Sequence, residues 1–232
     1  QKNCFDYYSA HFFMKDFGRF KALAVGDYHF QVGQGLTLWS GLAFGKSIDI
    51  SSVKRNAVGI RHYASADENN FLRGGAATYG ITKNVSFSAF YSHKNIDANV
   101  TDTLDFENNE VAFSSFQNSG FHRTAAELND KDAIKETHFG GRVEFQNQAL
   151  KIGATGFASK YGGEFNRSLN FYNQFEFANN KNSVFGMDYN YVHRNFNFFG
   201  EISRSENGGV AYVNGLLMSL DPRFSFTILH RN

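Results

Sequence analysis

Hydrophobic and polar positions alternate with period two along most of this chain. In 85–92, Val85, Phe87, Ala89 and Tyr91 share one face, and Ser86, Ser88, Phe90 and Ser92 the other. In 137–146, Phe139, Val143 and Phe145 oppose Arg142, Glu144 and Gln146. Residues 169–177 set Leu169, Phe171, Phe175 and Phe177 against Asn170, Tyr172, Gln174 and Glu176. Residues 184–192 set Phe185, Met187, Tyr189 and Tyr191 against Asp188 and Asn190. The last stretch sets Phe224, Phe226 and Ile228 against Arg223, Ser225 and Thr227. A helix, with its period of 3.6, would scatter each set round its circumference. The pattern predicts about twelve strands, including weak ones near 11–25, of roughly 9–11 residues each, the length that crosses a bilayer when tilted. Strands of soluble sheets are usually shorter, about 5–6 residues.

The connections predict which end of the sheet is which. Lys83-Asn84, Asn147-Gln148, Asn179 to Asn182, Arg194-Asn195 and Leu220-Asp221-Pro222 read as short turns. Residues 94–135 and 160–167 read as longer excursions, and the polar, basic stretch 45–58 as a loop. Short turns at one end and long loops at the other are the pattern of an outer-membrane barrel. Within 94–135, Thr124-x-x-Glu127 has capping-box spacing and predicts one short helix. A segment of that length seldom lacks structure of its own, so it is expected to fold into or over the barrel mouth.

Composition narrows the class. Aromatic residues make up 17% of the 232, charged residues 19%, and Lys+Arg 23 against Asp+Glu 22 leaves a net charge of +1. That is too aromatic and too little charged for disorder, and it lacks the basic excess of a dedicated nucleic-acid binder. A single cysteine, Cys4, excludes an intrachain disulfide framework. Mean hydropathy is −0.41, and no apolar run approaches the length of a membrane helix. A transmembrane barrel keeps just such a modest average, because its strands alternate lipid-facing and lumen-facing residues. Gln1-Lys-Asn-Cys4 carries no apolar signal-peptide core, and the start reads as a processed terminus or a fragment boundary. The end at Asn232 follows a strand directly, so closure is expected to need strands beyond this sequence. The expectation is one all-β domain over 1–232, an antiparallel transmembrane β-barrel with one long loop carrying a short helix. A large soluble β-sandwich or lipocalin-like barrel is the alternative.

Gly26-Asp27-Tyr28, continuing through Gly33-Gln34-Gly35 to Trp39 and Gly41, resembles a block in Bacteroidota helix-hairpin-helix domain-containing outer-membrane proteins. Glu68 to Ala76, with Arg73 and Gly74, and Ser119-Gly120-Phe-His122-Arg123-Thr124 with Glu127-Leu128 match two further blocks in the same order. The resemblance covers roughly 20–232 and implies an envelope barrel rather than a chemistry. The family's helix-hairpin-helix module, similar to DNA-binding modules of competence proteins, has no counterpart in this chain. Nucleic acid is therefore not an expected partner of this chain alone.

Chemical motifs are weak. A Gly26/Gly33/Gly35 phosphate loop would need a strand-to-helix transition; both flanks are strand-like, and glycine in a strand more often marks a bend or a close backbone approach. The eight histidines show no ligand spacing, so no metal or cofactor is expected. Ser92-His93 lie on opposite faces of a strand. Ser119 with His122, oriented by Glu127, is the remaining hydrolase arrangement, without a nucleophile elbow. Gly120, His122, Arg123, Thr124 and Glu127 more simply read as a folded loop, with Arg123 and Glu127 at i,i+4 spacing. Arg142, Glu144, Glu176, Asp188, Glu201 and Arg223 fall on polar faces and are expected to line the lumen, as a charge ladder or as the field of a pore. The expected function is an outer-membrane channel or an envelope scaffold, not an enzyme. Its expected partners are the lipopolysaccharide-bearing bilayer and other envelope proteins. The alternatives are a DNA uptake or export barrel and a lipid-hydrolysing barrel.

Overall fold

The computed structural model describes residues 8–43, 50–65, 69–105, 110–117, 123–165, 171, 176–221 and 223–232. The wall strands are β1 His11–Phe17, β2 Phe20–Gln31, β4 Leu72–Gly80, β5 Val85–Ile96, β8 Ile134–Gln146, β9 Leu150–Tyr161, β11 Lys181–His193, β12 Phe196–Ser205, β13 Val210–Asp221 and β14 Phe224–Arg231. They pair antiparallel in chain order, and β3 (Gly59–His62) joins β2 to complete an eleven-stranded sheet. Outside it, β6 Ala98–Asp105, β7 Glu110–Phe116 and β10 Gly163–Phe165 form a second sheet of three. No helix among the described residues is long and apolar enough to cross a membrane. The fold is all-β, as the alternation predicts; the eleven-stranded sheet is antiparallel, and in the small sheet β10 runs parallel to β7. Among the described residues β1 and β14 stand at the two ends of the strand order and are not paired with each other.

The strand expected at 169–177 lies mostly outside the described residues; Phe171 and the stretch 176–180 are not in a strand. The excursion 94–135 is more structured than a loop. It continues β5 to Ile96, contains β6 and β7, and ends in α1, Ala125–Asn129. The Thr124 hydroxyl accepts the Glu127 N–H at 3.2 Å, and the Glu127 carboxylate accepts the N–H groups of Thr124 at 3.0 Å and Arg123 at 2.7 Å. This reciprocal cap explains why the helix starts there. These bonds also hold the Glu127 carboxyl below the usual carboxylate range, the backbone donors first.

The two faces of the wall are inverted relative to a soluble sheet. Ser86, Ser88 and Ser92 on β5, Arg142 on β8, Thr155 and Ser159 on β9, Asp188 on β11 and Glu201 and Ser203 on β12 are buried. The residues between them are exposed and apolar. One outward row runs through directly paired positions, Phe20, Tyr79, Phe87, Val143, Ala154, Met187, Ile202 and Tyr212. At the usual strand spacing of about 4.8 Å this row is roughly 34 Å wide.

What buries the polar face is the chain's own insertion. Gly26 adopts φ 93, and a side chain there would meet the Ala10 carbonyl. Past it, Asp27 through Val32 are all buried, without the alternation of a wall strand. The chain turns off the wall and folds back on itself: Ser40 N donates to the Phe30 carbonyl at 3.1 Å and Val32 N to that of Leu38 at 3.2 Å. Phe30 meets Phe90 of β5 edge-on at 5.3 Å. The turn that follows, Ile50–Val53, packs against β14. One inserted segment thus touches strands from both halves of the sheet, which curves around it.

Candidate functional site

The charged residues of the concave face gather at mid-height on neighbouring strands. Arg142 donates to Asp188 through both terminal nitrogens, at 2.5 and 3.0 Å, to Glu144 through Nε at 3.0 Å and to the Thr155 hydroxyl at 2.9 Å. Lys151 reaches the same Glu144 oxygen at 3.2 Å. Register explains the reach: Glu144 pairs with Gly153, and Gly153 with Asp188. A side chain at Gly153 would collide with the guanidinium, so the bare position is the gap through which Arg142 crosses β9. The bidentate geometry is the strong form of an Arg–carboxylate bond.

Glu201 is 3% exposed and sits directly opposite Asp188. Like charges facing each other across a strand pair are destabilising, so each carboxylate needs its own counterpart. Asp188 has Arg142. Glu201 has the tip of the inserted hairpin: its carboxylate accepts N–H groups from Gln34 at 2.6 Å, Leu36 at 3.0 Å and Thr37 at 2.8 Å. Three amides converging on one carboxylate form an anion nest. Gly33 (φ 52) makes the turn, and a side chain there would stand 2.7 Å from the Glu201 carboxylate. Gln34 locks the tip from the other side, accepting from Arg55 N at 3.0 Å and donating to the Arg55 carbonyl at 3.2 Å. The Arg55 guanidinium covers Trp39 at 5.2 Å. Gly33-Gln34-Gly35 is therefore a hairpin turn rather than strand, and the anion it holds is the protein's own side chain.

Asp27 and Tyr28 fasten the base of the insertion. Asp27, 1% exposed, takes a bidentate pair from Arg73 at 2.6 and 3.0 Å. The Tyr28 hydroxyl donates to the Tyr91 carbonyl at 2.8 Å. Toward the long-loop end, Glu136 meets His138 Nε2 at 3.0 Å and Lys94 Nζ at 3.7 Å, while Lys94 also donates to the Asn69 carbonyl at 2.6 Å.

Of the six charges expected in the interior, Arg142, Glu144, Asp188 and Glu201 form one cluster. Glu176 and Arg223 are corrections. Glu176 lies exposed in a connection outside any strand, and Arg223 is 91% exposed at the β13–β14 turn, paired with Asp221 at 3.0 Å. A polar-face assignment holds only where the strand exists and continues. Arg123 pairs with Glu127 at 3.9 Å on the surface. Gly120 and His122, with Ser119, lie outside the described residues. Ser92 accepts from Arg73 N on the buried face, while His93 bonds Thr137 on the exposed one. Among the described residues no group of three His, Cys, Asp or Glu side chains is placed to hold a metal ion. Sequence reading missed Lys94, Glu136 and Lys151 as interior charges, and Arg73 as the half-exposed partner of buried Asp27. Lys94, Glu136 and Lys151 share strand parity with inward Ser92, Arg142 and Thr155, so counting by twos along each strand would have found them.

No protein-family model matches the chain, and a search of curated proteins finds no significant match.

Proposed function

We propose that this chain forms the wall of an outer-membrane β-barrel whose interior is filled by its own inserted hairpin, and that it serves as a scaffold subunit of an envelope complex rather than as an open pore. The observation that carries the reading is the inverted sheet, with an apolar row outward across eight strands and satisfied charges inward. Soluble monomers seldom expose contiguous apolar patches beyond about 300–600 Å². Lipid is the solvent in which such a surface is stable. Strands of 12–13 residues such as β5, β8 and β11 extend about 40 Å and, tilted by about 45°, cover a hydrocarbon core of about 30 Å. The short turns would then face the periplasm and the small second sheet the outside. The resemblance to Bacteroidota helix-hairpin-helix outer-membrane proteins points the same way, with lipopolysaccharide-bearing bilayer and envelope proteins as partners.

Scaffold is preferred to channel because the Glu201 nest ties the hairpin across the interior, where a conducting path would have to run. The test is behaviour in and out of detergent. The expected result is a β-rich spectrum, a heat-shifted band on gels, precipitation when detergent is removed, and negligible conductance in planar bilayers. A monodisperse, detergent-free protein without heat shift would refute the membrane reading. Steady large conductance would refute the filled interior and favour the channel.

A further inference from the structure

Between the inserted segment and the short-turn end of the wall lies a cavity of about 500 Å³, within the roughly 300–1,000 Å³ range of small-molecule sites. It borders the inserted hairpin at Gly33 but uses none of the three amides that hold Glu201, and it does not depend on what bathes the outer face of the sheet. Its floor is the Arg142–Glu144 pair, already neutralised by Asp188 and Lys151. Its rim carries Lys15 of β1, Lys21 of β2 and Arg61 of β3, against Asp16 alone. Among the described residues none of these three cations has a carboxylate within ion-pair distance. Three strands thus deliver three unneutralised cations to one opening, an excess of two after Asp16 is subtracted. One wall is apolar, formed by Phe13, Phe30 and Ile60. Lys15 and Phe13 point there because they pair with inward Ala22 and Ala24.

We infer that this chamber binds a small organic anion, its apolar body against Phe13, Phe30 and Ile60 and its phosphate or carboxylate between Lys15, Lys21 and Arg61. Water-facing cations at the rim of a concave, partly apolar site concentrate field lines and favour anions over neutral analogues.

Phenyl phosphate is the probe, measured by calorimetry on the full chain in a nonionic detergent, with empty micelles as blank. Phenol and inorganic phosphate are the comparison ligands. The expected result is saturable binding of phenyl phosphate, tighter than either comparison ligand, and about tenfold weaker in the Lys15→Gln/Lys21→Gln/Arg61→Gln variant. These side chains are exposed and unpaired, so the variant is expected to keep the spectrum and heat shift of the parent. Lys160→Gln/Lys181→Gln, at the opposite end of the wall, is expected to bind as the parent does. No saturable binding by the parent, phenol binding as tightly as phenyl phosphate, or an unchanged triple variant would each overturn the inference.

Discussion

Removing the Glu201 carboxylate isolates the contact that holds the inserted hairpin. Glu201→Ala leaves the N–H groups of Gln34, Leu36 and Thr37 without the acceptor they reach at 2.6, 3.0 and 2.8 Å. Hydrogen bonds to a charged group contribute about 1.5–3 kcal/mol each. Three give at least about 4.5 kcal/mol gross, reduced to about 4 kcal/mol by water entering the vacated space. At 1.36 kcal/mol per decade this is up to about a thousandfold in the local opening equilibrium. Amide hydrogen exchange at residues 34, 36 and 37 reads that equilibrium directly. The expected outcome is exchange faster by about two to three decades at these amides, with little change in the wall strands. Glu201→Gln is expected to fall between, since its amide keeps one acceptor oxygen but turns a donor toward the remaining N–H. Exchange at these three amides within about threefold of the parent would refute the anchoring role, because that corresponds to less than about 0.7 kcal/mol.

Asp188→Ala leaves the buried Arg142 guanidinium with Glu144 as its one carboxylate partner and is expected to cost about 3 kcal/mol, read as a lower denaturation midpoint in detergent. Met187→Arg places a charge on the outward row at the centre of β11 and is expected to lower stability in lipid vesicles by about 2–4 kcal/mol; an unchanged urea midpoint would contradict the lipid-facing assignment. Gly33→Ala forces a side chain onto the Glu201 carboxylate in a left-handed turn, and faster proteolysis within the inserted segment is expected. The α1 cap gives a pH dependence of definite sign. Because the Glu127 carboxyl is held below its ordinary value of 4.5, its contribution is present above that pH and is lost as pH falls through the lower folded value. Loss of amide protection at Arg123 and Thr124 on acidification, absent in Glu127→Gln, checks it.

Period two alone determined the wall. Residues 85–92, 137–146 and 184–192 each place one set of side chains on one face, and no packing is needed to know that a strand alternates. The same arithmetic put Arg142, Glu144, Asp188 and Glu201 together on the concave side, and the i,i+3 spacing of Thr124 and Glu127 determined where α1 begins. Local chemistry failed where the fold overrides it. Glu176 and Arg223 have inward parity on paper, but one lies outside any strand and the other at a turn, where parity has no meaning.

The inserted hairpin was decided only by tertiary structure. Gly26 to Gly41 reads as more wall, because its residue pattern is that of the flanking strands; the positive φ at Gly26, Gly33, Gly35 and Gly41 that turns the chain inward is not written in that pattern. That Gly33-Gln34-Gly35 binds an anion, and that the anion is Glu201, more than 160 residues away in sequence, follows from which strands are neighbours. Likewise, Gly153 is a gap only because β9 separates Glu144 from Asp188. Alternation is a property of each strand by itself and is written residue by residue. The partners of a buried charge depend on sheet order and curvature, which arise only when all the strands have found their places.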